Sequence, residues 1–210
     1  TKRLLEYDVK TLRIFSRNEK LQVDMKTNFD DPRLRFLIGD IRDEHRLSRA
    51  TEDIDIVFHA AALKHVPLIE HNPSEAILTN VDGSNNLLNS CVKNNVEKVV
   101  GISTDKAVSP LNTYGATKLL MEKLFVSANS SIDKQKYQTK FVAVRYGNVL
   151  GSSGSVAPKL FNPTDHIVPS FFNPNTELPP VPDHCPAEIS LQFVSVAIPT
   201  SVQVFIVSVF

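Results

Sequence analysis

Tyr114 and Lys118 stand four residues apart in Tyr-Gly-Ala-Thr-Lys, and Thr104 of Ser103-Thr104-Asp105-Lys106 lies ten residues before Tyr114. On a helix, residues four apart share a face. An ammonium beside a phenol stabilises the phenolate and lowers the Tyr pKa, which gives a usable base near neutral pH. The Thr104 hydroxyl can hold the same substrate oxygen, and Asp105 and Lys106 add an acid and a base. Tyr-x-x-x-Lys alone is a weak signal, because two fixed positions recur by chance. Preceded by Ser-Thr-Asp-Lys at a strand end, it is a strong one.

The elements that position these groups follow from pattern. Val99, Val100 and Ile102 read as a buried parallel strand whose C-terminal end opens onto a ligand crevice, which puts Thr104, Asp105 and Lys106 at the rim. Pro110 and Asn112 punctuate the loop, and residues 113–127 have helical composition. Further strands are predicted at 11–16, 34–39, 54–60 and 140–145, with helices over 19–29, 43–50 and 72–93 between them. This alternation predicts a doubly wound, mostly parallel α/β sheet of the Rossmann type.

In such a sheet the end of the second strand declares the cofactor. An acidic residue there holds a ribose 2′-hydroxyl, whereas Arg accommodates a 2′-phosphate. Ser16-Arg17-Asn18 has no carboxylate before Glu19, so the expected cofactor is NADP rather than NAD; a solvated Arg17 is the alternative. Asp40 can cap the helix that follows it. Ala60, Ala61 and Ala62 are small where a cofactor would lie against backbone, and Lys64 follows in a loop. His59 and His65 read as structural. Asn72-Pro73-Ser74-Glu75 reads as a capped helix start, with Asn80 inside the helix. Asn148, in the loop after residues 140–145, is suited to grip a sugar nucleotide.

The segments HAAALKHVPLIEHNP, STDKA, YGATK and RYGNVLGSSGSV, in this order over the first three quarters of the chain, resemble the extended short-chain dehydrogenase/reductase family. Within it the likeness is to the inverting UDP-N-acetylglucosamine 4,6-dehydratases and related polysaccharide-biosynthesis proteins. The resemblance implies that Asp40 faces the adenine and Ile41 packs on its ring. It implies that Lys64 reaches a ribose or phosphate oxygen, and that Val149 lies near the nicotinamide. Ser16, Arg17, Ala60, Ala61, Tyr114 and Lys118 complete the expected cofactor contacts. Ser103, Thr104, Asn148, Ser153, Gly154, Ser155 and Val156 are the expected substrate contacts. The implied chemistry starts with Tyr114 taking the sugar 4-hydroxyl proton while hydride leaves C4 for NADP. Lys106 then removes the C5 proton, and Asp105 protonates the departing 6-hydroxyl. Return of hydride to C6 and of a proton to C5 gives a 4-keto-6-deoxy sugar inverted at C5, without net redox change. Related retaining dehydratases carry Asp-Glu where this chain has Asp105-Lys106. Two rivals are a UDP-sugar 4-epimerase, needing only Tyr114, Lys118 and Thr104, and a non-catalytic fragment.

The remaining composition bounds partners and organisation. A chain of 210 residues with formal net charge zero buries a substantial core and offers no electrostatic footing for nucleic acid or an anionic membrane. Cys91 and Cys185 have no metal-ligand spacing, and no metal site is expected. No signal peptide or membrane span is read, so the expected location is the cytoplasm; a homo-oligomer is compatible with the composition. Residues 1–7 read as the last turns of a helix, and no G-x-G-x-x-G occurs. The expectation is a Rossmann-like core over residues 1–160 that lacks its first strand and pyrophosphate turn, and therefore binds dinucleotide weakly. After Lys159 there is no Lys or Arg, prolines crowd residues 163–186, and residues 192–210 are β-prone. Residues 161–210 are expected to be a shifted reading frame or unrelated end, without an intact substrate domain and with exposed, aggregation-prone β segments.

Overall fold

The apolar runs become parallel strands in the computed structural model, which describes residues 1–147 and 201–208. These are β1 (Val9–Ser16), β2 (Leu34–Ile38), β3 (Ile56–His59), β4 (Lys98–Ile102) and β5 (Lys140–Val144). A short α1 (Lys2–Leu5) precedes them, and α2 (Glu19–Asn28), α3 (Glu44–Ala50), α4 (Val66–His71), α5 (Pro73–Ala76), α6 (Gly83–Lys93) and α7 (Thr113–Ser131) connect them. Side-chain caps fix three helix starts: Asn18 for α2, Asp43 for α3 and Asn112 for α7 each accept a backbone N–H. Asp40 is thus not the cap of α3; its carboxylate accepts the Arg42 N–H at 3.0 Å in a turn. Asn72 makes no cap bond either, because its amide donates back to the Leu68 carbonyl at 2.8 Å.

The sixth strand departs from expectation. β6 (Val202–Val207) pairs in parallel with β1 on one side and β3 on the other, giving the order β2-β1-β6-β3-β4-β5. The chain runs from β1 outward to β2, and from β3 outward through β4 to β5, so β6 occupies the topological switch point, where open α/β sheets bind ligands. Val204, Phe205 and Val207 are fully buried, and the Phe205 ring sits 5.6 Å from that of Phe15. Residues 202–207 of the β-prone end are therefore not an exposed tail. Their apolar run suits a strand covered on both faces, and both of its edges are hydrogen-bonded.

Two apolar layers sandwich the sheet. Phe15, Leu47, Leu87, Met121, Phe125 and Phe205 pack under α3, α6 and α7; Leu12, Ile14, Leu34 and Val204 pack on the other face with Met25 and Phe29. The helix predicted over 72–93 runs without a gap from Pro73 to Lys93, as α5, a π-helical turn (Ile77–Asp82) and α6. Such turns shift side-chain direction within a helix. Here Asn80 is buried inside the fold. Among the described residues no helix is long and apolar enough to cross a membrane.

Candidate functional site

A cleft of about 470 Å³ at the carboxyl ends of the strands is lined by Arg17, Arg42, Ala60, Lys64, Tyr114 and Lys118, with Ala62, His65 and Tyr146 among its other walls. Strand β4 delivers Thr104, and a single 3₁₀ turn (Asp105–Ala107) presents Asp105 and Lys106. The α7 N-terminus is brought against that turn because Gly115 has no side chain: a Cβ there would meet the Lys106 carbonyl oxygen. Glu70 clamps the same end of α7, accepting the Thr113 N–H at 2.7 Å and its hydroxyl at 3.0 Å.

Electrostatics at this rim differ from the simplest reading of Tyr-x-x-x-Lys. The Lys118 ammonium donates to the Ile102 carbonyl at 2.7 Å, and burial pushes its pKa down to about 8, against the pull of Glu122. Burial likewise pushes the Tyr114 phenol up to about 12, helped by Tyr146 and opposed by the Thr104 hydroxyl. Burial, not Lys118, sets the phenol in this geometry, with the ammonium bonded to a main-chain oxygen. Asp105 is held below the usual carboxylate range, first by the Thr104 hydroxyl at 2.9 Å and then by Lys106 at 3.3 Å. Both side chains of that pair are about half exposed. Asp105 is here an ionised carboxylate paired with Lys106, not a neutral acid.

Several expected contact residues have partners of their own. Arg17 and Asp40 bind each other at 3.2 Å across the ends of β1 and β2. The Ser16 hydroxyl accepts the Asn18 N–H at 2.9 Å and shapes the turn after β1. Ile41 is a core residue packed on Gly83, since the chain after β2 dips under α6, and Ala61 is equally buried. Ser103 is fully buried and donates to Glu122, so its hydroxyl does not face the cleft. Asn148, Val149, Ser153, Gly154, Ser155 and Val156 lie outside the described residues.

Residues 1–165 match the family described as polysaccharide biosynthesis protein. The chain belongs to that family. It is 51% identical over 159 residues to a UDP-N-acetylglucosamine 4,6-dehydratase (inverting) of Campylobacter jejuni, covering 75% of this chain and 47% of the relative. It is 48% identical over 155 residues to a UDP-glucose 4-epimerase of Rickettsia bellii, covering 74% of this chain and 45% of that one. Among solved structures, Pen from Bacillus thuringiensis superposes with a TM-score of 0.68 at 48% identity, covering 72% of this chain and 46% of that one. The chain thus spans about half the length of the curated relatives it matches.

The chain holds its rim together with Glu122, which motif reading passed over, and with Asn80 and His59, which the sequence placed in a helix and read as structural. Glu122, one turn beyond Lys118 on α7, binds Arg145 through two bonds of 2.8 and 2.6 Å and takes the Ser103 hydroxyl, tying the ends of β4 and β5 to α7. The spacing Tyr114, Lys118, Glu122 repeats the four-residue step and was the available signal. Asn80 donates to the Leu63 carbonyl at 2.9 Å and to the Thr117 hydroxyl at 3.0 Å, and accepts the Leu63 N–H, fastening the loop after β3 to α7. His59, behind it, meets the Ser84 hydroxyl at 2.7 Å; burial, with the Lys118 charge, pushes it down to about 3, so it stays neutral.

The Lys118 environment makes stability depend on pH. An amine that ionises near 8 when folded and at its ordinary 10.5 when unfolded leaves the unfolded state holding the extra proton between those values. Stability therefore rises with pH across that window. Relative to Lys118→Met, the natural protein is expected to gain about 2 kcal/mol between roughly pH 8 and 9.5. Urea unfolding of both proteins at the two pH values measures this, and parallel curves would place the amine in water.

Proposed function

We propose that this chain forms the cofactor-binding part of a nucleotide-sugar 4,6-dehydratase that acts on a UDP-N-acetylhexosamine, UDP-N-acetylglucosamine in the first instance. The observation that carries it is the adjacency of Asp105 and Lys106 to Thr104 and Tyr114 at one rim, since oxidation at C4 needs only the latter pair with Lys118. The cleft fits a nicotinamide dinucleotide: Ala60 and Ala62 leave room against the backbone, and Arg17, Arg42 and Lys64 offer cations for phosphate. When bound, that group supplies the hydride acceptor and a positively charged ring, which draws the Tyr114 phenol toward ionisation.

The chain's own residues divide the proton work. Tyr114 takes the proton of the sugar 4-hydroxyl, with Thr104 holding the same oxygen and Lys118 the developing negative charge. Once C4 is a ketone the C5 proton is acidic, and Lys106 in its neutral form removes it. Asp105 returns a proton to the leaving 6-hydroxyl. A substrate filling the rim strips water from two side chains that are half exposed here, which raises the carboxyl and lowers the amine toward the forms this step needs.

A 4-epimerase reading is favoured by the 48% identical UDP-glucose 4-epimerase and leaves Asp105 and Lys106 as an exposed ion pair. Incubation with UDP-N-acetylglucosamine followed by mass spectrometry decides: loss of one water supports dehydration, an isomer supports epimerisation, and unchanged substrate refutes both.

Arg17 at the cleft wall supports NADP over NAD. Arg17→Glu is expected to weaken NADP binding by about 10–100-fold, the worth of one or two charge-assisted hydrogen bonds, and to affect NAD little. Calorimetric titration with both dinucleotides checks it, and equal losses would remove Arg17 from cofactor choice.

A further inference from the structure

Nine arginines occur in the sequence, all among the described residues, and they divide into two sets. Arg3, Arg17, Arg33, Arg42 and Arg145 each bind a carboxylate. The other four, Arg13, Arg35, Arg46 and Arg49, have no carboxylate partner among the described residues, and all four line one cavity of about 400 Å³ between β1, β2 and α3. Glu52 is the only acidic side chain among the described residues of its lining. The chain as a whole is neutral, so this crowding is not the overflow of a basic protein.

The arrangement works against the fold that carries it. Arg13 and Arg35 are direct cross-strand partners on β1 and β2, and like charges placed opposite each other destabilise a sheet. Three of the guanidinium groups are anchored to main-chain carbonyls rather than left loose. Arg13 donates to the Ala50 and Glu52 carbonyls at 2.9 and 2.7 Å, Arg46 to that of Ile38 at 3.0 Å, and Arg35 to those of Pro32 and Leu34. A guanidinium has five N–H donors, so each keeps others for a ligand while its position is set in advance.

We propose that this cavity is a binding site for a compact anion carrying two or more phosphate groups, separate from the catalytic cleft. The two cavities share no lining residue. Planar guanidinium forks match phosphate oxygens two at a time, and four of them against one carboxylate leave an excess positive charge that a single phosphate does not neutralise. The Thr11 hydroxyl, on the same sheet face, adds a neutral donor. The source is either a free polyphosphate, such as the tail of a nucleotide, or a multiply phosphorylated lipid headgroup.

Calorimetry of the full chain with sodium tripolyphosphate at low salt tests the site. Micromolar binding is expected, weakened at least about tenfold by Arg35→Thr/Arg49→Thr and unchanged by Arg17→Ser. Vesicles of phosphatidylcholine containing a bisphosphorylated inositol lipid form the second arm. Capture that tripolyphosphate reverses identifies a headgroup as ligand, and binding of tripolyphosphate without capture identifies a soluble one. The double variant should unfold at or above the natural midpoint, because the repulsion with Arg13 is gone. Should it fail to fold, Arg49→Gln alone, at an exposed side chain with no hydrogen bond of its own, should lose about threefold. Absence of tripolyphosphate binding, or binding that Arg17→Ser removes and Arg35→Thr/Arg49→Thr keeps, overturns the assignment.

Discussion

Tyr114→Phe is expected to slow conversion of the nucleotide sugar by about 10²–10⁴-fold, the usual worth of a positioned general base. Among the described residues the phenol and Asp105 are the titratable groups bonded to Thr104, and the phenol is largely buried at the cleft wall. The substitution removes one oxygen and leaves the ring packed against Ile69 and Ala76, so binding should persist while turnover falls. Lys106→Ala should be as damaging to dehydration yet different in kind. With Tyr114, Lys118 and Thr104 intact, oxidation at C4 still proceeds, and reduced cofactor is detectable in a single turnover. Exchange of the C5 proton with deuterated solvent, which needs the base, disappears. Tyr114→Phe should silence both signals, because without the ketone the C5 proton is never acidic. Natural dehydration rates in Lys106→Ala would make Lys106 a bystander charge and leave the epimerase reading in its place.

That experiment matters because sequence and structure agree on where these groups stand and differ on their state. Strand and helix order from residue 11 to residue 144 was legible, since buried parallel strands write themselves as β-branched runs and their crossovers as helices. The meeting of Thr104, Asp105, Lys106 and Tyr114 was legible too, because a strand end and a helix start separated by a short loop have few ways to miss each other. Protonation was not. It depends first on how deeply the Tyr114 phenol and the Lys118 amine are buried, with the ammonium on the Ile102 carbonyl. Nor could sequence say that Ile41 and Ser103 turn inward, since the face of a residue just past a strand end is set by the helix packed there. Asn80 illustrates the same limit: its inward direction comes from a π-helical turn that carries no composition signal.

The largest expected effect on stability lies in β6, whose β-prone residues the sequence assigned to an unrelated end. Phe205→Ala should cost about 3–5 kcal/mol, measured by urea or thermal unfolding. Phe205 is fully buried, meets Phe15 ring to ring at 5.6 Å, and sits in the same apolar layer as Leu47, Leu87 and Phe125, so its removal leaves a void that helices on one side and strands on the other cannot both close. Position in the sheet adds to the loss. β6 is hydrogen-bonded on both edges, and a weakened β6 frays β1 from β3 at the switch point, whose strand ends form the cleft. Val126→Ala, on the outer face of α7 at 63% exposure, should change stability by less than about 0.5 kcal/mol and serves as the control. Ligand binding should follow the same order, with Phe205→Ala weakening dinucleotide binding although Phe205 does not line the cleft. A Phe205→Ala protein as stable as the control would mean that residues 202–207 do not hold the centre of the sheet, and that β1 and β3 are joined by something else.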